Sequence, residues 1–286
     1  MSKKKNILIT GGVGFVGTNL AEKLLSQGHN VISIDDYSFG KKENELEGVH
    51  YINDDITNIS SISESIDICY HLAAKARVQP SFEDPVDYFR VNVKGTMKVM
   101  DWAKKNNVKV VYAGSSSRHF SPEDSPYAMY KFLGEQLCKL YRKSYNLKVE
   151  IARFYNVYGP RENRDEKFGN VIGIWTTKAL KGDLLPIVGD GMQRRDFTHV
   201  HDIVDGLIKI GFSEISQEDG WELGTGNNYS VNELFEMFRL RFGAKSKFIP
   251  DQPGNYKKTL RKNDNLLELL DWKPKDQLAK HIKNLS

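Results

Sequence analysis

Tyr127 and Lys131 are the first residues whose types and spacing suggest chemistry. They bracket Tyr127-Ala-Met-Tyr-Lys131, directly after Ser125-Pro126. Four residues apart on a helix, they share one face. A tyrosine with its ordinary pKa of ~10 is a poor base at neutral pH, and a nearby ammonium favours the phenolate. Lowering that pKa by ~3 units takes about 4 kcal/mol, within reach of a close ammonium and a positively charged cofactor ring. Tyr130 is adjacent to Lys131 and is not the partner in this spacing. Ser115-Ser116-Ser117 precede the pair. Their hydroxyls can donate to a substrate oxygen and accept from Tyr127. Taken singly, the Tyr/Lys pair also reads as a surface helix, and the serines as a polar loop capping the next turn.

A second constellation lies at the start. Ile7-Leu-Ile9 is a short apolar run, and glycines at 11, 12, 14 and 17 break it before Leu20, Leu24 and Leu25 recur at helical spacing. Gly12-x-Gly14-x-x-Gly17 in a strand, turn and helix is the dinucleotide fingerprint. It allows a tight turn, close approach of backbone to a pyrophosphate, and a helix N-terminus facing the anion. The next apolar run, Val31–Ile34, ends in Asp35. An acid about 20 residues on can accept both hydroxyls of a ribose, and it repels a 2′-phosphate, so the reading favours NAD over NADP.

The elements that must position these groups alternate along the chain. Strands are expected at Ile7–Ile9, Val31–Ile34, Val49–Ile52, Ile66–Leu72, Val108–Tyr112 and Leu147–Phe154. Helices are expected at Asn58–Ser65, Asp87–Asn106 and Tyr127–Tyr145. This pattern implies an α/β fold, a doubly wound parallel (Rossmann) sheet covered on both faces. Ligands bind such sheets outside the C-terminal strand ends, where the unusual residues cluster. Beyond Tyr155 the regularity weakens. Gly159-Pro160 is a turn, Val171–Leu180 a helix, Leu185–Val188 a strand, Val200–Phe212 a helix and Gly220–Leu223 a strand. Val231–Phe242, Leu266–Leu270 and Leu278–Ile282 read as helices. Residues 1–155, with a return segment at about 197–224, are expected to form the dinucleotide domain. Residues 156–196 and 225–286 are expected to form a smaller α/β substrate domain.

Composition bounds the rest. With 286 residues, 41 Lys and Arg against 37 Asp and Glu, and a net charge of +4, the chain is ordinary for a soluble protein and argues for no nucleic-acid partner. Lys3-Lys4-Lys5 precedes only a strand-length apolar run, so no signal peptide is expected, and no stretch reaches membrane-span length. Cys69 and Cys138 sit in apolar contexts and read as buried, reduced thiols of a cytoplasmic protein. No Cys/His cluster has metal-ligand spacing.

Taken together the motifs are no longer generic. Thr10-Gly-Gly-Val-Gly-Phe-Val-Gly17, His71-Leu-Ala-Ala74, Asn92-Val-Lys-Gly-Thr96, Ser115–Ser117, Tyr127-x-x-x-Lys131, Arg153-Phe-Tyr-Asn-Val-Tyr-Gly-Pro160 and Gly189-Asp-Gly-x-x-x-Arg-Asp-Phe197 occur in this order. Over nearly its whole length the chain resembles the extended short-chain dehydrogenase/reductases, specifically the NAD-dependent nucleotide-sugar epimerases and dehydratases. Within them it is most similar to the UDP-hexose 4-epimerases. The resemblance implies that Gly11, Gly14, Phe15, Val16 and Gly17 meet the pyrophosphate of NAD and Asp35 the adenosine ribose, with Asp36 a further cofactor-binding residue. Asp55 and Ile56 would lie near adenine, and Leu72, Ala73, Ala74 and Asn92 would line the path to the nicotinamide. Tyr127 would be the catalytic base, Lys131 would hold the nicotinamide ribose and tune Tyr127, and Ser115 would be the catalytic hydroxyl. With Ser115, Ser116 and Tyr127, the residues Asn156, Asn170, Val171, Ile187 and Arg195 would contact a UDP-sugar. A guanidinium suits a diphosphate, whereas Asn156 reads equally as a loop cap. A homodimer through the helices at Asp87–Asn106 and Tyr127–Tyr145 is also implied.

Three departures bear on the site. The segment between Ser117 and Tyr127 is shorter than in relatives, so the roof is open or rebuilt. Arg118-His119-Phe120 replaces an apolar residue, Tyr and Gly, and His119 is expected to be a solvated loop residue rather than a sugar contact. Gln252 stands where such epimerases carry a phosphate-binding Arg, with Lys257 or Lys258 as the nearby compensating cations. Related dehydratases place Asp-Glu directly after the catalytic hydroxyl, and decarboxylases keep the Glu; here Ser116 and Ser117 stand there. The expected activity is therefore UDP-glucose/UDP-galactose-type 4-epimerisation by transient C4 oxidation. The rivals are a dehydratase or UDP-glucuronate decarboxylase/epimerase, and a non-catalytic NAD-binding regulator.

Overall fold

In the computed structural model, which describes residues 4–262 and 265–286, the apolar runs at the start of the chain become the central strands of one sheet. In chain order the elements are β1 (Asn6–Thr10), α1 (Phe15–Ser26), β2 (Asn30–Asp35), β3 (Val49–Asn53), β4 (Ile68–His71), α2 (Val78–Glu83) and α3 (Pro85–Phe89). There follow α4 (Thr96–Asn106), β5 (Lys109–Ser115), α5 (Pro126–Tyr145), β6 (Val149–Phe154), β7 (Asn156–Tyr158) and α6 (Val171–Lys181). The chain ends with β8 (Leu185–Val188), β9 (Arg194–His199), α7 (Val200–Phe212), β10 (Trp221–Leu223), β11 (Asn228–Ser230), α8 (Val231–Phe242), β12 (Ser246–Ile249), α9 (Asn265–Leu269) and α10 (Leu278–Lys283).

The large sheet is wholly parallel, in the order β10-β6-β5-β4-β1-β2-β3. Ile7, Leu8 and Ile9 are fully buried because both faces are covered, as near-continuous apolar strands require. One face packs Leu8, Val110 and Ile151 under α4 and α5; the other packs Ile7, Ile9 and Val111 under α1 and α7. Strand order reverses between β1 and β4, and the crevice at that switch point is where such sheets bind ligands. Buried His71 fixes this point: its Nδ1 lies 2.8 Å from the Thr10 hydroxyl and its Nε2 3.0 Å from that of Thr96. Burial, with the charge of Lys131, holds His71 down at about 3, so it is a neutral strut.

A smaller lobe has its own core of Trp175, Ile187, Phe197, Leu234 and Phe238 around a three-stranded sheet, β11-β9-β7, and the pair β12-β8. The segment at 197–224 contributes α7 and β10 to the large sheet's half. Four strands, β7, β9, β11 and β12, lie where the sequence suggests none. The helix expected at Asn58–Ser65 is instead a 3-10 stretch at Ile56–Ser61, begun by the Asp55 carboxylate accepting from the Thr57 amide. The expected helix Asp87–Asn106 is continuous helix, with a π-turn at Arg90–Gly95. Cys69 and Cys138 are buried and unbonded to each other. Among the described residues no helix is long and apolar enough to cross a membrane. Lys3 lies outside the described residues.

Candidate active site

The C-terminal ends of β1, β2, β4, β5 and β6, closed over by the smaller lobe, line a cleft of about 910 Å³. At its floor, Gly11 has φ +77°, and a Cβ there would sit 2.9 Å from the Ala73 backbone. A Cβ on Gly17 would sit 2.1 Å from the Gly11 carbonyl oxygen. Only glycine lets the turn lie this close to β4 and to α1. Gly14, Phe15 and Val16 complete this wall. Asp35 is buried at the end of β2, where it accepts from the amides of Val13 at 3.1 Å and Tyr37 at 2.9 Å. Burial nevertheless raises its carboxyl above the ordinary value. Asp36, Asp55 and Ile56 line the same end. Burial pushes Asp55 up, but the Thr57 amide and the Arg90 guanidinium outweigh it and leave it below its usual range.

Further along, Leu72, Ala73 and Ala74 line the cleft. Asn92 does not; it is buried in the π-turn, and its side chain clamps the Lys75 backbone, accepting from the amide at 2.8 Å and donating to the carbonyl at 2.9 Å. It shapes the loop after β4 from behind rather than lining the path.

Helix α5 begins where Ser125 caps it, accepting from the Ala128 amide at 3.1 Å, with Pro126 in its first turn. That start aims Tyr127 into the cleft beside Ser115, Ser116 and Ser117 at the end of β5. Burial raises the Tyr127 phenol, while the Ser115 hydroxyl and the positive charge of Arg77 pull it down. Lys131 also lines the cleft, but its ammonium donates to the Ala113 carbonyl at 2.9 Å and lies 5.3 Å from the Tyr112 ring centroid. Burial lowers it to about 8, against the opposing charge of Glu135. The sequence expectation assigns the tuning of Tyr127 to Lys131 and a positively charged cofactor ring; among the protein's own groups, Ser115 and Arg77 act on the phenol.

From the smaller lobe, Asn156, Asn170, Val171 and Arg195 line the far end. Asn170 caps α6, accepting from the Gly173 amide at 2.6 Å and donating to the Val157 carbonyl at 2.9 Å. Asn156 sits 3.3 Å from the Thr259 hydroxyl. Arg195 donates to the Tyr256 carbonyl and the Asn255 side chain, each at 2.6 Å, and burial lowers it to about 10. Ile187 lies in the lobe's core instead of the cleft. On a strand alternate residues face opposite ways, and its neighbours Pro186 and Val188 face inward.

The departures resolve physically. The roof is rebuilt: Phe120 stacks on Tyr256 with centroids 3.9 Å apart and planes 9° from parallel. His119 is not a solvated loop residue. Its Nε2 lies 3.0 Å from Glu222, which also takes Arg153 at 2.7 Å and the Tyr155 hydroxyl at 2.7 Å. Burial pushes Glu222 up, and His119 with Arg153 more than reverses it. Gln252 lines the cleft, whereas Lys257 and Lys258 are exposed and outside its lining, so neither replaces the missing arginine. Residues the sequence reading passed over are Arg77, Phe168 and Tyr256, all in the lining. The Lys75-Ala-Arg77 charge pair directly after Ala73-Ala74 is the one signal that pointed to Arg77.

Residues 7–213 match the model of the NAD dependent epimerase/dehydratase family. The chain belongs to that family. It is 31% identical to the UDP-glucose 4-epimerase of Mycolicibacterium smegmatis, over 96% of this chain and 95% of that one. It is 33% identical to the UDP-N-acetyl-alpha-D-glucosaminuronate decarboxylase of Bacillus cytotoxicus, over 86% and 83%. The UDP-glucuronic acid 4-epimerase of Bacillus cereus, solved with UDP-glucuronic acid and NAD, superposes with a TM-score of 0.89 at 27% identity, covering 98% of this chain and 97% of that one. Membership makes this chain an enzyme whose cofactor is NAD. Its own residues fit that group: a side-chain-free cradle at Gly11 and Gly17 opens on a helix N-terminus, and the Asp35 carboxylate stands at the end of the next strand.

Proposed function

We propose that this enzyme is a 4-epimerase of UDP-hexoses, with the UDP-glucose/UDP-galactose pair as the first substrates to test. NAD supplies a reversible acceptor for the hydride on the sugar carbon. Tyr127 takes the proton from the 4-hydroxyl and later returns it, and Ser115 orients the oxygen by donating to it. Lys131, anchored on the Ala113 carbonyl, holds the cofactor's ribose. Asp35 holds the other ribose, and Arg195 with Asn170 and Asn156 grips the nucleoside diphosphate while the sugar turns. A subunit pair through α3, α4 and α5 belongs to this reading, since Val86, Phe89, Met97 and Leu140 are exposed there. So does a cytoplasmic setting, which suits two buried free thiols.

One observation carries the choice of epimerisation. The two positions after Ser115 hold Ser116 and Ser117, which line the cleft and bring no carboxyl where elimination or carboxylate-assisted chemistry needs an acid and a base. An unactivated serine hydroxyl is too weak for either task. The oxidised sugar then has one exit, return of the hydride. A purely regulatory NAD-binding role is disfavoured because Tyr127, Lys131 and Ser115 meet in one cleft. The test is product identification by NMR after incubation with UDP-glucose, UDP-N-acetylglucosamine and UDP-glucuronate. Inversion at C4 supports the reading; a stable 4-keto-6-deoxy sugar or a pentose contradicts it.

A further inference from the structure

The shortened roof begins with a turn that needs an anchor. Ser116–His119 is a 3-10 turn, capped by Ser115, whose hydroxyl oxygen accepts from the Ser117 amide at 3.2 Å. Of its four residues only Ser117 is buried, so no apolar side chain docks the turn. Arg118 approaches Glu135 at 3.6 Å, beyond hydrogen-bond reach. His119 makes the hydrogen-bonded tie, with its Nε2 3.0 Å from Glu222.

Glu222 is a rigid place to tie to. It is buried in β10, in register with Arg153 of β6. It accepts from Arg153 and from the Tyr155 hydroxyl, each at 2.7 Å. Arg153 in turn forks onto Glu135 at 3.0 and 2.9 Å, one turn of α5 beyond Lys131. A buried polar network whose members are partnered stiffens what surrounds it, and hydrogen bonds to an ionised carboxylate are the strong ones. Removing His119 leaves Glu222 two donors, so the network survives while the turn loses its tie.

The next residue carries the effect to the cleft. Phe120 stacks on Tyr256 with centroids 3.9 Å apart. Residues 250–257 form no helix or strand. Their backbone is tied at Pro253 by Gln79 and at Lys257 by the Arg194 amide, and between these ties the Phe120 ring seats Tyr256. The same stretch fixes the Arg195 guanidinium, which donates to the Tyr256 carbonyl and the Asn255 side chain, each at 2.6 Å. Tyr256, Asn255 and Arg195 line the cleft, whereas His119 and Phe120 stand behind it.

We propose that His119 is a positioning residue: tied to Glu222, it sets Phe120 against Tyr256 and so presents Arg195 to the substrate's diphosphate. This rests on the reading of the Arg195 end of the cleft as the diphosphate site. Calorimetric titration of NAD-loaded enzyme with UDP tests it without turnover. His119→Ala weakens UDP binding by about tenfold, as loss of one charge-assisted tie predicts. It leaves NAD affinity unchanged, and with UDP-glucose it raises KM while kcat stays within about twofold of wild type. His119→Gln keeps a donor at the reach of Nε2 and restores UDP affinity; His119→Asn, whose amide stops at the Nδ1 position, does not. In a Phe120→Ala background His119→Ala costs nothing further, because the two act in series. Unchanged UDP affinity in His119→Ala overturns the proposal, as do additive losses with Phe120→Ala. So does an equal loss of NAD affinity, which would make His119 a support of the whole fold. Arg195→Ala separates the two readings. If it weakens UDP binding and His119→Ala does not, the positioning role alone fails; if it leaves UDP binding unchanged, the diphosphate reading fails and the proposal with it.

Discussion

Tyr127 depends on neighbours that oppose its burial. Exchanging it for Phe removes the ionisable oxygen and keeps the ring's packing. Tyr127→Phe is expected to lower kcat by about 10³-fold or more while NAD remains bound, measured by turnover and by cofactor content after gel filtration. A near-normal rate would move the base elsewhere. Because the Ser115 hydroxyl pulls the phenol down, Ser115→Ala should shift the acidic limb of the pH-rate profile to higher pH, the working form being the ionised one. A limb that stays in place would show that Ser115 acts only on the substrate. In the proposed site Asp35 selects the cofactor. Titration into stripped protein should show NAD bound at least about tenfold more tightly than NADP, since a carboxylate in the proposed ribose position repels a 2′-phosphate. Equal affinities would remove that role from Asp35.

Among the elements, the turn between β7 and α6 holds Glu162, buried and pushed up to about 7 by its desolvation. Its Oε2 takes the Asn170 side chain at 2.8 Å, while Oε1 has no partner among the described residues. The folded state keeps this proton longer than the unfolded chain does. Its stabilising effect is full below about pH 4.5 and is lost as pH rises through about 7. Glu162→Gln cannot ionise, so its advantage over wild type should grow from near zero at pH 4.5 to about 3 kcal/mol at pH 8. Denaturant unfolding at both pH values measures this, and a constant offset would contradict it. The elements that carry chemistry were legible where local rules suffice. Ser125-Pro126 announces α5, and the glycine run announces the β1 turn. The three-residue strands β7 and β11 and the polar β9 were not, because their pairing joins segments far apart in sequence and leaves no period-two pattern. His119 was misread for the same reason, as its partner Glu222 is 103 residues away. Nor does sequence reveal that Arg77, with φ +91°, occupies a glycine-like backbone conformation.

For the whole molecule, residues of the parallel sheet and of the smaller lobe line one cleft, and the proposed function assigns the cofactor to the sheet side and the substrate to the lobe side. The exposed apolar residues of α3, α4 and α5 predict a dimer, to be measured as twice the chain mass by light scattering. Replacing Phe89 and Met97 with charged residues should give monomers, and a wild-type monomer would remove the interface. The central claim is that the hydrogen on C4 leaves and returns to the same carbon. The direct measurement is NMR of the product formed in ordinary water from a UDP-hexose deuterated at C4. The account predicts a product inverted at C4 that retains the deuterium there. An inverted product that has exchanged it for solvent hydrogen, or a keto or pentose product, would contradict it.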